Sequence, residues 1–347
     1  MQRPAWLAPN FTEPRVLSVV RNLCSAGDDV LDVGANFGGI TIAMSRAVGP
    51  RGSVFAFEAN PGIAKRCQDA VVEAGCGNVQ IVHGAIFSQS GQSIDLFLSD
   101  NQVADSIHYR VSENSIKVPT LALDDYVARM KISPSFVKMD IEGAEYEALL
   151  GFEKTIDFMR PIIILEQAPQ EHRCIDFLVS KGYKAIDLST YQMVQSNSDI
   201  VAGTVVTDIL FGYGDSLERL GYGPGTSLVA NLSDSDFATE HLMIRSNPVN
   251  LKSGRYVVQA DFSSSDTEME EIFCGILCHG SDEPVMQHHG HSHSLAKLAH
   301  RWVFDLPQDD NVSVFFRFAR QKPASFRVRD VSVSKVTCSG AVASFTP

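Results

Sequence analysis

The sequence predicts an α/β protein, a sheet with helices on both faces, followed by an all-β sandwich. Three observations point there. Over the first 211 residues apolar, β-branched runs alternate with helical stretches, and the runs are continuous, as strands covered on both faces require. A strand, glycine turn, helix and second strand, "DVLDVGANFGGITIAMSRAVGPRGSVFAFEANP", opens that region at 29–61. Beyond residue 227 helical periodicity fades, and short period-2 segments separated by polar turns suggest a sandwich.

The elements follow in order. "EPRVLSVVRNLC" (13–24) carries Val16, Leu17, Val20 and Leu23 at helical spacing and predicts a helix leading into the sheet. The strands expected next are "DVLDVGA", "SVFAFEA", "VQIVHGA", "SIDLFLS", "FVKMDIE", "PIIILEQ", "YKAIDL" and "TDILFG". The expected division is a first domain over 1–211, a linker over 212–227 and a β-sandwich over 228–347, because "GYGDSLERLGYGPGTS" is rich in glycine and turn residues. In the last part Tyr256, Val258, Ala260 and Phe262 share one strand face, as do Val312, Val314, Phe316 and Phe318. "SFRVRDVSVSKV" alternates with a shift near Asp330 that predicts a bulge.

A chain of 347 residues is long enough for two cores, and 44% hydrophobic with 20% charged residues is ordinary globular composition. The formal charge of −12 argues against nucleic acid as a partner. No apolar run approaches the roughly 20 residues of a membrane span, and the first residues lack the order of a secretory signal. Seven scattered cysteines without a CxxC pair read as reduced thiols. These features make a cytoplasmic protein the default and leave a homo-oligomer open.

The glycine turn carries the first chemistry. It reads Gly34-Ala35-Asn36-Phe37-Gly38-Gly39, which is neither GxGxxG nor GxxxxGK[ST], so a pyrophosphate is disfavoured. Bare glycine backbone lets a flat or extended ligand approach closely. Asp32, at the strand end, suits an amino group and repels a phosphate. Glu58 closes the next strand, where an acid accepts bonds from both ribose hydroxyls. Amine, ribose and a turn that avoids phosphate together describe S-adenosylmethionine.

At the carboxyl end of a later strand, where open α/β sheets bind ligands, stand Asp140 and Glu142. Lys138 and Asp140 lie two apart in a strand and point the same way. A hydroxyl acceptor needs its proton removed, and the candidate catalytic residues are Asp140, Glu142 and Glu166, with Lys138 beside them. Glu145 and Glu147 are expected on a solvated helix face, and His83 and His108 are expected to be structural. A divalent ion such as Mg²⁺ is an alternative to a base, with Asp124 and Asp125 converging on the strand-end acids; no metal site is assigned. His279, His288, His289, His291, His293 and His300 are expected in an exposed polar loop rather than a Zn²⁺ site. Trp302 and Tyr256 are either core residues or a stacking platform for a sugar.

"DVLDVGANFGG", "FAFEANP", "VPTLALDDYV" and "FVKMDIEGAEYEALLG" resemble, in succession, the signatures of FkbM-type methyltransferases over about residues 13–211. The resemblance implies a class I methyltransferase fold with a seven-stranded sheet, S-adenosyl-L-methionine as donor, and O-methylation of a sugar, glycan or glycosylated natural product. It implies a donor turn of Asp32, Gly34, Ala35, Asn36 and Gly38, ribose binding by Glu58 with Asn60 nearby, and an adenine flanked by Ala85 and Ile86. Phe37 departs from the smaller aliphatic residue of many relatives. "FRVRDVSVSKV" resembles the closing strands of carbohydrate-binding jelly rolls. The reading of a different class is a carbohydrate-binding or assembly protein whose methyltransferase half is inactive.

Overall fold

A computed structural model describes residues 14–99, 106, 114–167, 173–188, 192–194, 207–222, 226–232, 235, 237–240, 243–263, 271–278, 284–291, 300–306, 308–318 and 327–336. The chain forms two compact units that divide between Gly214 and Asp215. The boundary lies past the expected 211 because the last strand of the first unit runs on to Tyr213, pairing Gly212 and Tyr213 with Lys184 and Tyr183.

In the first unit α1 (Pro14–Leu23) precedes β1 (Asp29–Val33), α2 (Gly39–Val48), β2 (Ser53–Glu58), α3 (Pro61–Glu73) and β3 (Val79–His83). Then come β4 (Ala85–Ile86), β5 (Ser93–Phe97), β6 (Ser115–Leu121), α4 (Leu123–Met130) and β7 (Pro134–Met139). The remainder is α5 (Glu145–Leu150), α6 (Glu153–Met159), β8 (Ile162–Gln167), α7 (Arg173–Ser180), β9 (Tyr183–Asp187), β10 (Gln192–Val194) and β11 (Thr207–Tyr213). In α1, Val16, Val19 and Val20 are fully buried, so Val19 rather than Leu17 completes the apolar face.

Eight strands make the main sheet in the order β10-β9-β11-β8-β7-β1-β2-β3. Strands β3, β2, β1, β7 and β8 are parallel neighbours, whereas β11 and β10 run antiparallel to theirs. The sheet is thus mixed and has one edge strand, β10, more than the seven that the resemblance implies. Chain order reverses between β1 and β7, and that switch point opens a crevice beyond the strand ends. One face carries the larger core, in which Val33, Phe57, Met139 and Leu165 pack with Leu123, Leu149, Ile156 and Leu178 from α4 to α7.

The "SIDLFLS" run does not join this sheet. It forms β5, which pairs with β6 in a side sheet of order β4-β6-β5. Only Leu96 of β5 is fully buried, so the run is a half-exposed strand, not one covered on both faces. Strand β6 went unassigned because Pro119 interrupts it, and proline in a run argues against a ladder position.

The second unit is β-rich. After the short α8 (Ser216–Arg219) come β12 (Thr226–Leu232), β13 (Phe237–Glu240), β14 (Met243–Ser246), β15 (Val249–Leu251) and β16 (Gly254–Ser263). They are followed by β17 (Glu271–Cys278), β18 (Pro284–His291), β19 (His300–Leu306), β20 (Asp310–Phe318) and β21 (Arg327–Val336). One antiparallel sheet has the order β12-β21-β16-β19; the other runs β13-β14-β20-β17-β18, with β15 also on β20. Tyr256, Val258 and Ala260 of the first share one apolar cluster with Val312, Val314 and Phe316 of the second. The register slips where Asp261 faces Asp330 but Phe262 faces Val328, a bulge at the expected place.

The histidine-rich stretch is not all loop. His288, His289 and His291 lie in β18, an edge strand paired with β17; His279 and His293, like His108, fall outside the described residues. The ladder with "EIFCGILC" accounts for the difference, since cross-strand pairing fixes an edge strand whatever its polarity. Tyr256 is core, stacked on Phe304 at 5.7 Å between ring centroids.

Asp124 and Asp125 have structural work. The Asp124 carboxylate accepts from the backbone N–H groups of Lys154 (3.0 Å) and Thr155 (2.9 Å) and from Thr155 Oγ1 (2.7 Å), capping α6. Asp125 accepts from Ser90 Oγ at 2.6 Å. Neither lines the crevice, so the expected convergence with the strand-end acids does not occur. Asp124→Ala is expected to lower unfolding free energy by about 1–2 kcal/mol in urea titrations monitored by circular dichroism.

Candidate active site

The crevice at the switch point opens to solvent and is lined by the turn after β1, the end of β2 and the residues that follow β3 and β7. Its floor is the turn after β1. Gly34 has φ +83° and a Cβ there would lie 1.8 Å from the Asp140 carbonyl oxygen. Glycine is therefore required because the backbone after β7 presses directly on the turn, not only because a ligand approaches. Asp140 N–H completes the junction by donating to the Val33 carbonyl at 3.0 Å.

The amides of the turn are committed inward. Gly34 N–H and Ala35 N–H both donate to the Phe57 carbonyl, at 3.0 and 2.9 Å, and Gly38 N–H donates to the Ala35 carbonyl at 2.9 Å. Asn36, in the left-handed region at φ 49°, donates its N–H to Glu58 Oε2 at 3.0 Å. A phosphate would find these four donors spent, which is the structural form of the sequence argument against a pyrophosphate.

Glu58 lines the crevice. Its other oxygen, Oε1, accepts from Asn60 N–H at 2.9 Å. The two backbone bonds fix the carboxylate in place at the crevice. Asn60 is nine-tenths buried and caps α3, its Oδ1 accepting from Gly62 N–H (2.8 Å) and Ile63 N–H (3.3 Å). The apolar wall combines Ala85 and Ile86 with Phe57, Ile63 and Leu96.

Of the residues singled out in the sequence, Gly34, Asn36, Glu58, Ala85, Ile86, Asp140 and Glu142 meet in this crevice. Asp32, Ala35, Gly38, Asn60, Lys138 and Glu166 do not line it. Asp32 is fully buried beneath the turn, with Oδ2 accepting from Thr41 Oγ1 at 2.5 Å and Oδ1 without a partner. Burial pushes its carboxyl above the usual range, against the opposing pull of Lys138 and the Thr41 bond. Gly38, at φ +88°, caps α2 and has Cys67 Sγ 3.0 Å from where a Cβ would lie.

Beside the crevice the acids gather. Lys138, 4% exposed, faces Asp32 across the β1–β7 register and bridges Asp140 Oδ2 (3.0 Å) to the Gly34 carbonyl (3.2 Å). Asp140, Glu142 and Glu166 each bring a carboxylate oxygen within 4.8 Å of the others. Like charges so close need a shared proton or a cation between them. Desolvation, then Asp140, Glu142 and Asp208, push the Glu166 carboxyl up to about 10. Glu142 sits at φ 55°, a left-handed conformation rare outside glycine, and its carbonyl accepts from Ser106 Oγ at 2.8 Å.

Glu145 is a correction. It is 5% exposed, not on a solvated face, and its Oε1 accepts from Ile141 N–H at 2.8 Å and Gly143 N–H at 3.4 Å. Desolvation holds its carboxyl up at about 7 despite those bonds. It shapes the loop that presents Asp140 and Glu142. Glu147 pairs with Arg173 at 3.2 Å, and its side chain is 18% exposed. His83 is exposed, with Nε2 3.0 Å from the Ala59 carbonyl, as a structural residue would be. Sequence reasoning missed Phe57, Ile63 and Leu96; period-2 burial in β5 was the available signal for Leu96.

The topology and its switch-point crevice define a class I methyltransferase fold. Residues 32–185 match the family model described as the methyltransferase FkbM domain. The hexuronic acid methyltransferase AglP of Haloferax volcanii is 28% identical over 179 residues, covering 51% of this chain and 70% of that protein. Among solved structures, methyltransferase FkbM from Methylobacillus flagellatus aligns at 14% identity and a TM-score of 0.37, over 54% of this chain and 44% of that one. The chain thus spans less than half the length of that protein. Fibrillarin of Aeropyrum pernix with bound S-adenosyl-L-methionine aligns at 10% identity and a TM-score of 0.36, over 57% of this chain and 76% of that one.

Gly34→Ala is expected to cost at least about 2–3 kcal/mol, combining a strained φ with a backbone collision. Thermal unfolding of the full chain, followed with and without S-adenosylhomocysteine, measures the loss.

Proposed function

We propose that this protein is an S-adenosylmethionine-dependent O-methyltransferase whose acceptor is a hydroxyl of a sugar, glycan or glycosylated natural product. The observation that carries the donor reading is Glu58 at the crevice, its carboxylate anchored by two backbone amides, in one pocket with the apolar residues Ile63, Ala85, Ile86 and Leu96. Ribose hydroxyls bond to Glu58, the adenine lies between Ile63, Ala85, Ile86 and Leu96, and the methionine end runs over Gly34 and Asn36. Asp32 acts from beneath the turn, held by the bond from Thr41 and facing Lys138, and shapes the floor on which the methionine end rests. Ala35, Gly38 and Asn60 hold the turn and the following helix in shape.

The acceptor reading draws support from the likeness to a hexuronic acid methyltransferase over the same half of the chain. Methyl transfer is an in-line displacement. The acceptor oxygen attacks the methyl carbon, the carbon–sulfur bond breaks, and its electron pair stays on sulfur as S-adenosylhomocysteine leaves. The acceptor proton passes to a carboxylate, and Asp140 and Glu142 are the acids that border the crevice besides the ribose-binding Glu58. Positioned general bases contribute typically about 10²–10⁴-fold. A metal-free base is the mechanism assigned, and activity is expected to survive a chelator.

Glu58→Ala is expected to weaken S-adenosylhomocysteine binding by about 1.5–3 kcal/mol, roughly 10–100-fold, the loss of charged hydrogen bonds. Calorimetric titration of wild type and variant measures it. Unchanged affinity, or no donor binding by the wild type, would sink the assignment.

A further inference from the structure

Glu166, the penultimate residue of β8, lies off the crevice wall, and its carboxylate oxygen and those of Asp140 and Glu142 lie within 4.8 Å of one another. Carboxyl groups that close do not all stay ionised without a cation among them, and two of them bond only across a proton, because an ionised carboxylate offers acceptors alone. On its other side Asp140 Oδ2 receives Lys138 Nζ at 3.0 Å. Asp140 is thus held between a cation and a second carboxyl.

The groups facing Glu166 say which partner keeps the proton. From β7 come Asp140 and, through it, Lys138; from the following turn comes Glu142; from β11 comes Asp208, directly opposite in register. Lys138 Nζ bonds the Asp140 carboxylate and the Gly34 carbonyl. Ionising Glu166 would set a further negative charge among three acids in a half-buried place, so the proton rests on Glu166.

We propose, resting on the methyl-transfer reading above, that Glu166 is a positioning residue: as a neutral acid it donates a hydrogen bond to Asp140 and aims that carboxylate at the acceptor, so that Asp140 and not Glu166 takes the proton. The proton on Glu166 does not turn over. Methyl transfer moves the acceptor proton to Asp140, and solvent removes it after product leaves.

The carboxyl of Glu166 is held up at about 10, against about 4.3 in an unfolded chain. Its contribution to stability is therefore full below the unfolded value and is lost as pH rises towards the folded one. Glu166→Gln, neutral at every pH and still able to donate, removes that slope.

The test compares wild type, Glu166→Gln and Glu166→Ala as full chains. Infrared difference spectra between the wild type and Glu166→Gln at pH 8 are expected to show a protonated carboxyl band that belongs to Glu166, beyond any from Asp32 and Glu145, and urea unfolding at pH 6 and pH 9 should show a smaller pH dependence in Glu166→Gln. In methyl-transfer assays Glu166→Gln is expected to keep kcat within about threefold of wild type, and Glu166→Ala to lose about tenfold or more, one hydrogen bond's worth. A Glu166→Gln variant as inactive as Glu166→Ala overturns the inference by making Glu166 the base. A wild type without the band overturns it too, and one whose activity collapses on adding a chelator replaces the shared proton with a bound cation. A wild type that shows the band yet binds no S-adenosylhomocysteine overturns the methyl-transfer reading, and with it the positioning role.

Discussion

Gly34 has no side chain, and the peptide after β7 occupies the place where one would be, with the Asp140 carbonyl 1.8 Å from the ideal Cβ position. That contact brings the β1 turn and the end of β7 together at the point where strand order reverses. Everything else at the site depends on the approach. Lys138 spans it, Glu58 braces the turn from the β2 side through Asn36, and Asp140 is delivered to the crevice rim as a result. A sheet built from buried apolar runs supplies the rigid frame, and a few polar groups at its carboxyl edge supply the chemistry.

The electrostatics at that edge are lopsided. Asp32 and Asp140 lie by Lys138, and Asp140, Glu142 and Asp208 lie by Glu166, so some of the carboxyls cannot be charged together. Desolvation raises the carboxyls of Asp32 and Glu166, which do not line the crevice, while Asp140 has Lys138 to pair with. The same logic explains Glu145, whose two amide bonds do not offset the burial of its carboxyl. Acids that look alike in the sequence are thereby divided into different tasks by depth.

The elements legible in the sequence were those whose signal is local. The turn after β1, the acid closing β2 and the apolar strands of the main sheet all announce themselves in a few consecutive residues. The side sheet did not, because β5 and β6 are stabilised by pairing across the chain and Pro119 weakens the local pattern of β6. Strand β18 was hidden for the same reason, since its polar histidines are ordered by a partner 13 or more residues upstream. Glu145 shows a subtler limit. Its spacing suits a solvated helix, and only the tertiary fold reveals that it closes over the Ile141 and Gly143 amides. The three apolar wall residues, Phe57, Ile63 and Leu96, come from three different elements that no sequence window spans.

The inward commitment of the turn's amides bears on which metabolites the crevice admits. Many cellular cofactors share the adenosine group that Glu58 and the apolar wall would grip, and they differ in what is attached beyond the ribose. Where that extension is a chain of phosphates, it would meet the four engaged amides of Gly34, Ala35, Asn36 and Gly38 rather than a cradle of open donors. Sorting among adenosine compounds would then fall to the floor of the turn, with no bulky side chain needed to turn the phosphorylated ones away.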